Sequence, residues 1–279
     1  MKVAVTGGTG FVGREVVRRL REATHEVQLL TRATLASTAS CAAVIHLVGI
    51  ISEVGDQTFE NVHPRLTEKV TRAAKLAGIR RYVHMSALGT RANAAARYHQ
   101  TKWAAEEKVR ASGLDWTIFR PAIIYGPGDG FVNLFARLAK FSPVVPLIGG
   151  GRSKFQPVSV QNVAQSFVSS LLEPRAFLGT FDLCGDEVLR LRTIVETVLA
   201  VTGRQRLKLA LPFRVAWAQA ALVEWVFARL LGKTPPFNRD QWVMLQEDNV
   251  GDGQAANALF ELRHEPFAEG IARYLTPAA

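Results

Sequence analysis

Ser86, Tyr98 and Lys102 are the residues whose types and spacing could do chemistry: the serine precedes the tyrosine by twelve positions and the lysine follows it by four. Positions i and i+4 share one face of a helix, so the Lys102 ammonium can stand near the Tyr98 phenol and lower its pKa. A tyrosine tuned in that way can trade a proton with a substrate hydroxyl near neutral pH, with the Ser86 hydroxyl orienting the reacting oxygen. Read alone, Tyr98 and Lys102 could equally decorate an ordinary helix. A second, independent motif weighs against that. The chain opens with an apolar run that leads into Gly7-Gly8-Thr9-Gly10-Phe11-Val12-Gly13. Between a strand and a helix, these glycines let the turn tighten, the backbone approach a pyrophosphate, and the helix pack closely on the strand. The phosphate would rest on the N-terminus of the helix, where free N–H groups and the dipole favour an anion. Together the two motifs point to a nicotinamide dinucleotide.

Nineteen residues after Gly13 the second strand runs into Thr31 and Arg32, where an acidic residue would bond the ribose 2′-hydroxyl of NAD. No acid occurs from Val27 to Thr38, and Arg32 could pair with a 2′-phosphate, so NADP(H) is preferred with NAD(H) left open. The alternative is a solvated arginine at a strand end. Asn61 either bonds backbone or water in a proton relay or simply caps a helix.

Short apolar runs alternate with helical periodicity through the first half, which is the pattern of βαβ units and a parallel sheet. Strands are expected at Lys2–Thr6, Glu26–Thr31, Ala43–Val48, Arg80–Met85 and Trp116–Arg120. Helices are expected at Phe11–Ala23, Val62–Ala77 and Tyr98–Ala111, with Gly78 and Gly113 ending the last two. Such a sheet holds its ligand at the carboxyl ends of its strands, where the Ser86 and Tyr98 segments begin. After Pro121 the texture changes to glycine-rich turns at 126–130 and 149–151, and the chain interleaves the sheet with a second lobe.

At 279 residues, 48% apolar and 21% charged, the chain can bury one large domain or a domain with a smaller lobe. The start at Met1-Lys2-Val3 reads directly as strand, which implies a bacterial-type cytoplasmic protein without a leader. Cys41 and Cys184 form no metal or redox spacing, and the six histidines add no ligand pattern, so neither metal nor disulfide is expected. A net charge of +10 favours an anionic partner such as a dinucleotide phosphate, a membrane surface or an acidic protein. Nucleic acid is the weakest of these, for no basic run is interleaved with aromatics. Most of the arginines read as solvated faces, as with Arg14, Arg18 and Arg21 along the first helix. Phe213–Leu231, apolar apart from Arg214, Glu224 and Arg229, is a lobe helix or a surface helix that docks on a membrane or partner.

The motifs as a set resemble the extended short-chain dehydrogenase/reductases, and within them the atypical branch related to the Rossmann accessory subunit of respiratory complex I. The resemblance runs through His46–Ile50, His84–Gly89, Arg120–Asp129, Gln156–Val158, Asn238–Gln241 and Asp248–Val250. It implies an α/β NAD(P)-binding Rossmann fold, with residues 1–160 as the dinucleotide domain and 161–279 as a C-terminal lobe partly returning to the sheet. It further implies that Leu47, Val48, Gly49 and Pro121 line the cofactor together with the glycine loop, Arg32, Tyr98 and Lys102, and that Arg152, Phe155 and Gln156 face an unknown small-molecule substrate. Members oxidise, reduce or epimerise carbon bearing oxygen, whereas the complex I relative is thought to hold its dinucleotide without turning it over. The expected function is therefore an oxidoreductase or epimerase, against a non-catalytic subunit or assembly factor of a respiratory membrane complex, peripheral on the inner membrane.

Two features depart from that pattern. Gln161-Asn162-Val163-Ala164 stands where the family reads Asp-Val-Ala. More important, only ten residues, Ala33 to Ala42, join the second strand to the third, where the family places a helix, a strand and another helix. Ten residues barely suffice for one crossover but can reach roughly 33 Å. The expectation is a sheet that lacks the strand outside the second one, with part of the adenine pocket gone.

Overall fold

The computed structural model describes residues 1–38, 40–212, 217 and 238–276. Six parallel strands form the central sheet. They are β1 (Lys2–Thr6), β2 (Glu26–Leu30), β3 (Ala43–His46), β4 (Arg81–Met85), β5 (Asp115–Pro121) and a last strand, Gly179–Leu183, that the periodicity did not single out. Their order across the sheet is Gly179–Leu183, β5, β4, β3, β1, β2. Strands covered on both faces need apolar residues at every position rather than alternating ones, and Val3, Ala4 and Val5 of β1 and Ala43, Val44 and Ile45 of β3 are all fully buried. In contrast β2, at the edge, leaves Leu29 44% exposed. No described strand pairs on its outer side, as the short connection implied. That connection makes a turn in which the Thr34 hydroxyl accepts from Thr31 N–H at 2.8 Å, then a 3₁₀ turn over Leu35–Thr38, and enters β3 beyond β1.

Helix α1 (Phe11–Glu22) buries Val12, Val16 and Leu20, spaced by four, and turns Arg14 and Arg21 to solvent. The next helical stretch differs from the uniform helix expected at Val62–Ala77. Asn61–Arg65 is a π-helical turn and only then does α2 (Leu66–Leu76) follow. Pro64 is the physical reason, since it has no N–H to give an α-helical carbonyl and its ring crowds the preceding turn. Gly78 and Gly113, both with φ near +70°, follow α2 and α3 (Arg97–Arg110) as left-handed caps.

The chain divides into two compact units. One comprises Met1–Pro121, Gln161–Leu183 and Asp252–Leu262 and contains the sheet. The other comprises Ala122–Val160, Cys184–Gly251 and Arg263–Ala279. Its core gathers Phe135, Val145, Leu147, Ile194, Val198 and Ile271 from helices Val132–Phe141, Leu191–Val201 and Phe267–Leu275 and the strand Val144–Ile148. Among the described residues no helix is long and apolar enough to cross a membrane. Phe213–Leu231, apart from Trp217, lies outside the described residues.

Candidate dinucleotide and proton-transfer site

The glycine loop forms the sharp turn that the sequence requires. Gly7 has φ +74°, and a Cβ there would sit 3.1 Å from the Leu47 carbonyl carbon and the Val48 nitrogen. A Cβ on Gly13 would lie 2.1 Å from the Gly7 oxygen. Neither position tolerates a side chain, so β1, the loop and α1 approach as closely as backbone allows. Gly10 caps α1 without any side-chain hydrogen bond, and the first turn of Phe11, Val12 and Gly13 carries no acid. Its N–H groups therefore point outward with nothing negative competing for them, which suits a pyrophosphate. Thr9 uses its carbonyl to accept from Arg14 at 3.2 Å, which brings a cation beside the same turn.

The adenine side is more open. Arg32 lies exposed just past β2. A groove of about 610 Å³, bordered by Gly8, Thr9, Arg14, Val17 and Leu29, runs along α1 and the open edge of β2. A right-handed crossover after β2 would lay its helix there.

At the other end of the cradle, α3 projects Tyr98 and Lys102 from one face, as the i, i+4 spacing demands. Tyr98 is half-buried, with Phe59, His63 and His99 set edge-on around its ring at centroid distances of 6.0, 5.4 and 5.3 Å. Lys102 is 2% exposed, and its Nζ donates to the Met85 carbonyl at the end of β4 at 3.0 Å. A Cβ on Gly49 would lie 3.0 Å from that Nζ and 3.8 Å from His63 Nε2, so Gly49 forms the wall against which both groups rest. Burial pulls the Lys102 pKa down to about 8, opposed by the charge of Glu106. The same burial, reinforced by the Lys102 charge, holds His46 down to about 3 and His63 to about 2, and keeps His84 well below its usual value. All three imidazoles are neutral at physiological pH.

Several residues singled out from the sequence sit elsewhere than expected. The Ser86 hydroxyl donates to the buried Glu106 carboxylate at 2.6 Å and lies 3.3 Å from Thr90 Oγ1. Asn61 does not cap the helix, whose N-cap is Glu60: its Nδ2 donates to the Asp56 carbonyl at 3.0 Å and its Oδ1 accepts from Arg65 at 3.1 Å. The π turn instead delivers His63, whose Nε2 accepts from Ile50 N–H at 3.3 Å and whose Nδ1 pairs with Thr101 at 2.8 Å. In the second unit Phe155 packs into the core beside Phe131, and both ends of the Gln156 amide are taken by backbone at Gly185 and Gly251. Arg152 alone of that trio is exposed. Glu106 and His63 were missed in the sequence. For Glu106 the signal was present, as it extends the Tyr98, Lys102 spacing by a further four residues.

Known proteins place this geometry. A family described as NAD(P)H-binding matches residues 7–174. The chain is 30% identical to the NADH dehydrogenase [ubiquinone] 1 alpha subcomplex subunit 9 of Arabidopsis thaliana mitochondria, over 88% of this chain and 70% of that one. It is 28% identical to a 2-alkyl-3-oxoalkanoate reductase of Stenotrophomonas maltophilia, over 86% of this chain and 87% of that one. In fold it is similar to a UDP-glucose 4-epimerase of Thermotoga maritima, with a TM-score of 0.76, 16% identity, and coverage of 99% and 97% of the two chains. With the glycine cradle, the uncapped helix start and the parallel sheet all in place, the chain belongs to the NAD(P)H-binding family and shares its Rossmann-like fold with the epimerases and reductases of that kind.

Proposed function

We propose that the chain is an NADP(H)-preferring oxidoreductase in which Tyr98 is the acid/base and Lys102 holds the nicotinamide ribose. One observation carries this reading: the phenol and the ammonium stand on one helical face, with the ammonium wholly buried between the Met85 carbonyl and Gly49. A lysine at such a position has lost its hydration and is retained where a bound group repays the cost. A dinucleotide held by the loop of Gly7 to Gly13, with Leu47, Val48 and Pro121 alongside, would supply hydride at its nicotinamide. In the reducing direction Tyr98 gives its proton to the carbonyl oxygen that becomes the alcohol, and Lys102 stabilises the phenolate left behind. Arg32 would pair with the 2′-phosphate.

The likeness to the reductase supports a carbonyl substrate, and an oxoacid-type carbonyl is the first class to try. A second reading, a dinucleotide-holding subunit of a membrane complex without turnover, is favoured by the missing outer strand and by the likeness to the complex I subunit. The test is turnover. NADPH oxidation is followed with 3-oxoacyl compounds, simple ketones and aldehydes, and epimerisation with sugar nucleotides. Tyr98→Phe removes the proton without disturbing the helix, and turnover should fall about 10²- to 10⁴-fold. A panel silent with wild type, while NADPH still binds, would favour the subunit reading.

A further inference from the structure

Glu106 stands four residues beyond Lys102 and eight beyond Tyr98 on α3, and it is wholly buried. A carboxylate taken out of water is retained only where its lone pairs are matched. Here four donors converge on it. Ser86 Oγ at 2.6 Å and Arg120 Nε at 2.8 Å reach Oε1, while Arg110 and Arg120 Nη2 atoms, each at 2.6 Å, reach Oε2. Ser86 is also the residue directly after Met85, the carbonyl of which receives Lys102 Nζ at 3.0 Å. The Ser86 N–H is tied to the Phe119 carbonyl at 2.7 Å, so the Met85–Ser86 peptide is pinned from β5 on one side and from Glu106 on the other.

We infer that Glu106 is a positioning residue for the Tyr98–Lys102 pair: through Ser86 it fixes the turn whose carbonyl receives the Lys102 ammonium, and its charge offsets the desolvation of that ammonium. This rests on reading Tyr98 and Lys102 as the acting pair. The other titratable groups facing Lys102 cannot take the role. His46, His63 and His84 are neutral, and they border the ammonium without balancing it. Among the described residues, the Glu106 charge is the one that supports the protonated lysine. Ser86 accordingly acts through Glu106, to which its hydroxyl donates.

The experiment follows Lys102 itself. The full-length protein is labelled with ¹³C at lysine Cε, the Lys102 resonance is identified by its loss in Lys102→Met, and its pH titration is recorded beside calorimetric NADPH affinity. Glu106→Gln should move the Lys102 midpoint about one unit toward lower pH, and so weaken NADPH about threefold at pH 7.5, where the protonated fraction falls from about three quarters to about one quarter, and about tenfold well above pH 8. Ser86→Ala should shift both in the same direction by less, Ser86→Thr should restore them, and the double variant should go no further than Glu106→Gln. Should Glu106→Gln not fold, Ser86→Ala decides, since it deletes one hydroxyl. An unmoved Lys102 midpoint in the folded variants overturns the inference, even if Tyr98→Phe abolishes turnover. A shifted midpoint in a protein that turns over nothing upholds it while removing the acid/base reading of Tyr98.

Discussion

Lys102 is buried against the Met85 carbonyl and Gly49, and its position has two consequences that can be measured. The first is steric. Gly49→Ala places a methyl 3.0 Å from Nζ, tighter than ordinary contact, so the ammonium must give by a few tenths of an ångström. The lysine is buried and held at 3.0 Å by the Met85 carbonyl, so the substitution should lengthen or displace that contact. Thermal melts and NADPH titration should show a loss of about 1–3 kcal/mol in stability and weaker binding; unchanged values in both would contradict the packing. The second consequence is a pH dependence. The Lys102 pKa drops from 10.5 to about 8 on folding, so between those values the unfolded chain holds a proton that the folded chain has released. Stability contributed by this group therefore rises with pH across about 8 to 10.5 and is lowest below 8. Cofactor affinity should run the other way, falling as pH rises through 8 and the ammonium discharges. In Lys102→Met the affinity should be lower and this step absent. A step that persists in Lys102→Met would assign it to another group.

At the scale of elements, the short connection between β2 and β3 shapes the sheet edge. It leaves β2 as an open edge with Leu29 partly bare. On the proposed reading, selectivity for a 2′-phosphate rests on Arg32, exposed just past that edge. Arg32→Asp should reverse the preference from NADPH to NADH, with the phosphate pair contributing roughly 1.5–3 kcal/mol; equal affinities in wild type, unmoved by the substitution, would refute that role. The element pattern was largely legible. Apolar runs such as Val3–Val5 and Ala43–Ile45 announce strands buried on both faces, and the positive-φ glycines Gly78 and Gly113 announce helix ends. Even the missing strand follows from counting ten residues. Two things were not legible. The π turn at Asn61–Arg65 depends on a local contest between Pro64 and the helix ladder, and it decides that His63, not Asn61, faces Lys102. The direction of the Ser86 hydroxyl depends on Glu106 and Arg120, twenty and thirty-four positions away, a pairing that only the packed sheet and helix create.

For the whole molecule the question is whether a family fold with an opened adenine side still performs chemistry. The loop of Gly7 to Gly13 and the Tyr98–Lys102 face belong to the same compact unit, which supports cofactor and proton donor acting together. The second unit supplies a core of its own, with Phe155 and Gln156 committed to its packing and Arg152 exposed. The most direct test uses NADPH deuterated at the transferable C4 position, incubated with the oxoacyl and ketone panel and analysed by mass spectrometry. The account expects deuterium on the carbinol carbon of at least one product with wild type, and its loss by two or more orders of magnitude with Tyr98→Phe. Deuterated NADPH recovered intact from every mixture, though tightly bound, would contradict it.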